Sequence, residues 1–206
     1  MFGFKRLKLV HALTTAVVFV AGGCGDDPAS CAQDPTGPDC GGGDPENISR
    51  VTVTLTPVGG GAAVTAFRVD PDGSLLPQPI GPASATLVLQ KGKTYNGVIA
   101  LLNDINSSNV IDISAEVQTE ANFHRFFYTL TCVGVTAPVA GQNSDTQNPP
   151  QPLGSTYQIV VDAGAPTNAA CTLNIQLHHF ENNKGDGAGT NFETDLDVDF
   201  PVSIQP

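Results

Sequence analysis

Val51-Thr52-Val53-Thr54-Leu55-Thr56 sets an apolar residue at every second position with threonines between them. Side chains of an extended chain point alternately to opposite faces, so this period predicts a strand with one buried and one wet face. The same alternation recurs on both sides of a few breakers. It marks further strands at Ala62 to Val69, Ala85 to Gln90, Thr94 to Leu102 and Phe123 to Thr131. Beyond these come Val133 to Ala137, Thr156 to Val161, Thr172 to His179 and Thr194 to Ile204, with Pro71-Asp72-Gly73 and Asn148-Pro149-Pro150 among the turns. Only Val110 to Glu120 has room for a helix, and its β-branched residues predict no more than a short turn. Strands do not alternate with helices, which argues against a parallel α/β fold. About nine short strands predict an all-β chain, a single antiparallel immunoglobulin-like β-sandwich over residues 48–206.

The segment before the strands has a different character. Lys5, Arg6 and Lys8 precede an apolar run from Leu9 to Ala21 that ends in Ala21-Gly22-Gly23-Cys24. Thirteen residues are too few to span a bilayer as a helix, so residues 1–23 read as a secretory signal. The small residues before Cys24 resemble the lipobox of bacterial lipoproteins, although Ala21 stands where Leu or Val is commoner. That resemblance implies cleavage before Cys24 and lipidation of Cys24. Residues 24–47 are Gly, Pro, Asp and Ser with no apolar period, which predicts a disordered tether.

Charge narrows the partners. The 206 residues carry 9 Lys+Arg against 20 Asp+Glu, a net charge of -11. Loss of Lys5, Arg6 and Lys8 with the signal leaves six basic residues against the same twenty acids, a net charge of -14. Nucleic acid, bound mainly through Lys and Arg, is not a partner this balance supports. An anionic membrane surface would repel the chain, so attachment falls to the lipid. The expected location is the outer membrane, lipid-anchored on its periplasmic or cell-surface side.

Five cysteines less the lipidated Cys24 leave Cys31, Cys40, Cys132 and Cys171, an even number that allows three pairings. Cys31 and Cys40 lie close together in the tether, and a bond between them leaves Cys132 for Cys171. Parity then makes a sharper statement. On the strand from Phe123, one face takes His124, Phe126, Tyr128, Leu130 and Cys132; on the strand from Thr172, Leu173, Ile175, Leu177 and His179 share a face with Cys171. An antiparallel register keeps the sum of opposite residue numbers constant. Cys132 with Cys171 and His124 with His179 both sum to 303, so a disulfide at one end predicts a histidine pair at the other.

Glu120 precedes His124, Glu116 lies four residues earlier, and the strand holding Glu193 should enter at the same end. Two imidazoles with carboxylates suit a borderline cation such as Zn(II) or Cu(II). The competing expectation is a pair of core-capping histidines bonded to backbone carbonyls. Asn182 to Glu193 fits a calcium loop poorly, because Asn182 and Lys184 occupy its first and third positions, and reads as a hairpin tip. Asp197 and Asp199 alternate with Leu196, Val198 and Phe200 and read as a solvated face. No Gly-x-Ser-x-Gly elbow or phosphate loop is present, and the cysteines are assigned to lipid and disulfides, so the chain does not read as an enzyme.

His124-Arg125-Phe126-Phe127, Leu177-His178-His179, Glu193-Thr194-Asp195 and Phe200-Pro201-Val202 together resemble motifs of a group of small Bacteroidota-type lipoproteins often labelled type 1 periplasmic binding fold superfamily proteins. That label implies larger proteins made of βα units, whereas the alternation here predicts a β-sandwich. Cys132 and Cys171 are not part of the pattern. The expected role is a membrane-tethered, non-enzymatic binding module that captures a transition metal, or a ligand containing one, for an outer-membrane receptor. The alternative is a structural or adhesive immunoglobulin-like module that binds protein or glycan through loops such as Asp70 to Pro82 and Ala140 to Pro152.

Overall fold

The alternating segments become strands in the computed structural model, which describes residues 47–70, 81–167, 170–180, 184 and 192–206. The expected signal over residues 1–23, nearly all of the expected tether with Cys24, Cys31 and Cys40, residues 71–80 and most of residues 182–193 lie outside the described residues. The strands are β1 (Arg50–Pro57), β2 (Val64–Val69), β3 (Leu87–Gln90), β4 (Thr94–Asn103) and β5 (Ile111–Asp112). After helix α1 (Ile113–Thr119) come β6 (His124–Leu130), β7 (Val135–Ala140), β8 (Thr156–Val161), β9 (Cys171–Phe180) and β10 (Phe192–Gln205). The opening alternation is realised residue by residue: Val51, Val53 and Leu55 are buried, while Thr52, Thr54 and Thr56 are not.

Two sheets face each other. One runs β2-β1-β4-β8-β7 with β5 beside β4, and the other runs β3-β10-β9-β6. In immunoglobulin lettering β1, β4, β8 and β7 take the places of strands A, B, E and D, and β6, β9 and β10 those of C, F and G. Inward residues of both sheets, among them Val53, Ile99 and Ile159 from the first and Leu87, Ile175, Val198 and Phe200 from the second, form one core cluster. Burying each such side chain contributes about 1.5–3 kcal/mol as an upper figure. Close packing also dictates Gly97, since a Cβ there would come within 2.3 Å of the Tyr157 ring on the neighbouring strand.

Two expectations need correction. The sandwich is not wholly antiparallel, because β3 lies parallel to β10 from Leu87 opposite Val202 to Gln90 opposite Gln205. The chain leaves the first sheet after β2, crosses to the edge of the second as β3, and recrosses through Lys91–Lys93 into β4, so among the described strands β3 has no antiparallel neighbour there. The 110–120 segment is more than a turn: it forms two-residue β5 and then two turns of helix. Asp112 caps that helix by accepting the Ala115 N–H, and Ile113 and Val117, four apart, bury its inner stripe.

The strand pair that carries the histidines follows the 303 register throughout, from His124 opposite His179 to Leu130 opposite Leu173. Just past its end Cys132 and Cys171 form a disulfide, with Cα atoms 5.1 Å apart. The amide of Phe180 donates to the carbonyl of Phe123, and that of Thr131 to Thr172. Odd-numbered β6 positions are therefore the hydrogen-bonded pairs. His124/His179 and Cys132/Cys171 are both non-hydrogen-bonded pairs, the class in which opposite side chains stand closest.

Candidate metal centre

His124 opens β6 and His179 stands one residue before the end of β9, both pointing into the sandwich with 0% and 4% exposure. Their ring centroids are 4.3 Å apart and tilted at 45°. Glu120 caps the end of α1, four residues before His124. One ligand atom from each of Glu120, His124 and His179 lies within 4.8 Å of the others. Ligand atoms on a tetrahedral zinc stand ~3.3 Å apart for bonds of ~2.0 Å, so a small rotation of these side chains closes the set around an ion.

The backbone fixes which nitrogen faces inward. His124 Nδ1 lies 3.2 Å from the carbonyl oxygen of Glu120, and a carbonyl only accepts, so Nδ1 carries the proton. In the neutral ring Nε2 is then the nitrogen with a lone pair. It faces Asp195, whose Oδ2 is 3.7 Å away, with both side chains fully buried. An Nδ1–H bonded to a backbone carbonyl is the usual support for an imidazole that ligates through Nε2.

Asp195 reaches the site through a β-bulge. The β9–β10 register shifts between Thr194 and Leu196, so Asp195 is the extra residue and both Asp195 and Leu196 turn inward. Regular alternation would have sent Asp195 out with Asp197 and Asp199, which is why the sequence pointed elsewhere for a carboxylate. Glu193 is opposite His179 on β10 yet exposed. Glu116 sits in the first turn of α1, and neither it nor Glu193 belongs to the converging set among the described residues. His178 lies on the outer face, stacked at 4.0 Å on Phe192 and 4.6 Å from Phe127. Burial pushes its imidazole below the ordinary histidine value, and Asp197 opposes that in part.

A buried charge pair adjoins the site. Lys184 Nζ is 3.2 Å from Asp145 Oδ2, with both side chains fully buried. Asp145 also accepts from the amides of Gln151 (2.7 Å) and Gln147 (3.1 Å) and from Gln147 Nε2 (2.7 Å). Burial would raise its carboxyl, but these donors and the Lys184 ammonium outweigh it and hold the group below the usual carboxylate value. Burial lowers the Lys184 ammonium, with Asp145 acting against it. Within residues 141–152 Asp145 turns inward, while its neighbours are exposed or half-buried.

A search against protein-family models, curated proteins and solved structures finds no match to this chain. The resemblance to small lipoproteins thus rests on the quoted motifs alone, and the functional argument rests on this geometry.

Proposed function

We propose that the protein is a non-enzymatic metal-binding module of a bacterial cell envelope, tethered by a lipid on Cys24, that captures Zn(II) or Cu(II) for an outer-membrane receptor. One observation carries this reading: two inward-facing histidines directly opposite in a non-hydrogen-bonded pair, with Glu120 within 4.8 Å of both. The Asp195 carboxylate stands 3.7 Å from His124 Nε2, beside this three-residue set and within reach of it as a further donor. Two imidazoles and two carboxylates make a set suited to zinc or copper rather than to calcium, which prefers oxygen alone. Ligands this deeply buried favour retention of the ion over rapid exchange.

The rival is a structural ion pair, with an imidazolium at His124 resting on Asp195 and the histidines capping the core. Calorimetric titration of untagged protein with zinc and copper separates the two. The metal reading expects one equivalent bound, loss of binding in His124→Ala and in His179→Ala, and retention in His178→Ala. Equal zinc affinity in wild type and the double histidine variant would leave only the ion pair.

A further inference from the structure

We infer that Lys184 is a positioning residue for this centre, its ammonium fixing the five-residue segment that presents Glu120 and His124. The inference rests on the metal reading above. Buried backbone carbonyls require donors, so each can be accounted for in turn. The Glu120 carbonyl accepts from the Phe123 amide and from His124 Nδ1. The Phe123 carbonyl accepts from Phe180 across the strand pair. Ala121, Asn122 and His124 all accept from Lys184: Ala121 and His124 from its Nζ (2.8 Å for His124), and Asn122 from its backbone amide (3.1 Å), beside a second donor, Gln147 Nε2 (3.3 Å). One residue thus serves three of the five carbonyls, and its side chain bridges the position after Glu120 to His124 itself.

The choice of a lysine is informative. β6 is the edge strand of its sheet, and at a non-hydrogen-bonded position the His124 carbonyl points away from β9. It needs a donor from outside the sheet, and Lys184 Nζ supplies it. An ammonium close to a cation site opposes the cation, yet here Asp145 neutralises it at 3.2 Å. The charge contributes nothing to attracting a metal, so what remains for Lys184 is the placement of two carbonyls and, through them, of two ligands. Exchanging a buried ion pair for neutral side chains of similar volume is often tolerated by the fold, which separates positioning from stability in an experiment.

The test uses the whole protein carrying Lys184→Met with Asp145→Asn, so that no orphaned charge is created. Zinc affinity is measured by competition with a chromophoric chelator, and geometry is read from the visible bands of the Co(II)-loaded protein, which are strong for four-coordinate and weak for six-coordinate cobalt. With a thermal midpoint near wild type, the variant should bind zinc roughly 10- to 100-fold more weakly, the usual cost of losing support behind a ligand, and its cobalt bands should weaken. Wild-type affinity with an unchanged cobalt spectrum would overturn the assignment. Should the double variant not fold, Lys184→Gln with Asp145→Asn, which keeps one donor and again orphans no charge, is held to the same two readouts. Wild type that takes up neither zinc nor cobalt refutes the metal reading itself, whereas wild type that binds alongside an equally competent variant refutes only the role of Lys184.

Discussion

The two ends of the β6–β9 pair have the same backbone placement and different chemistry. Cys132/Cys171 and His124/His179 are inward-facing, non-hydrogen-bonded pairs in one register, eight residues and ~26 Å apart along the strands. At the first end the opposite side chains close on each other by a covalent bond. At the second, Glu120 from the end of α1 and Asp195 from a bulge stand near the rings, and Lys184 Nζ, paired with Asp145, donates to the His124 carbonyl. Cross-strand proximity is thus a neutral resource. Cysteines use it without help, whereas a histidine pair that is to bind a metal draws on further donors.

Breaking the covalent end should have the largest effect. Cys132→Ser with Cys171→Ser frees a 39-residue separation and should cost about 4 kcal/mol in the chain-entropy account, or roughly 8 to 16 °C in Tm. Zinc affinity of the still-folded protein should hold. A loss under about 1 kcal/mol in urea unfolding would contradict the account, and a collapse of zinc binding would show that the two ends are not separable.

The clamp comes next. Asp145→Ala leaves the Lys184 ammonium buried without its counter-charge and should destabilise by about 3 kcal/mol. Because the folded-state carboxyl of Asp145 is depressed, its contribution is complete above the unfolded value of ~3.9 and is lost as pH falls through the lower folded value. Urea midpoints below about pH 4 should therefore fall more steeply in wild type than in Asp145→Asn. Parallel slopes would sink this point.

The smallest effect belongs to the outer face. The His178 imidazole is lowered by burial, so folding favours its neutral form: that contribution is present above ~6.5 and lost as pH drops through the folded value. Phe in its place should flatten the stability profile between about pH 7 and 5 and leave zinc affinity where it was. A shift in zinc affinity would mean that the two faces of β9 are coupled.

How much of this could be read in the sequence depended on whether parity held. It held along β6 and β9, so the disulfide and the histidine pair followed from cysteine counting and one constant sum. It failed at Asp195, because a bulge inserts one residue with no local signature in Glu193-Thr194-Asp195-Leu196, and the carboxylate from β10 was sought two positions early. The parallel neighbour of β3 was out of reach for a different reason: alternation reports which face is buried and says nothing of which strand lies alongside. In α1, Ile113 and Val117 have low helix propensity, and burial against the sheet overrode it. Lys184 stands in a Gly- and Asn-rich stretch, where nothing in the sequence marks its contacts with Asp145 and the His124 carbonyl.

The position of β10 in its sheet has a consequence for how the molecule is made. It is the last of the described strands in chain order, yet it lies between β3 and β9 and so joins two parts of the sheet. A chain that emerges N-terminus first therefore has β6 and β9 available to pair early, while β3 waits for a partner more than a hundred residues downstream. Contacts of such long sequence separation form slowly. Until β10 arrives that sheet stays split, so completion of the sandwich waits for the last of the described strands.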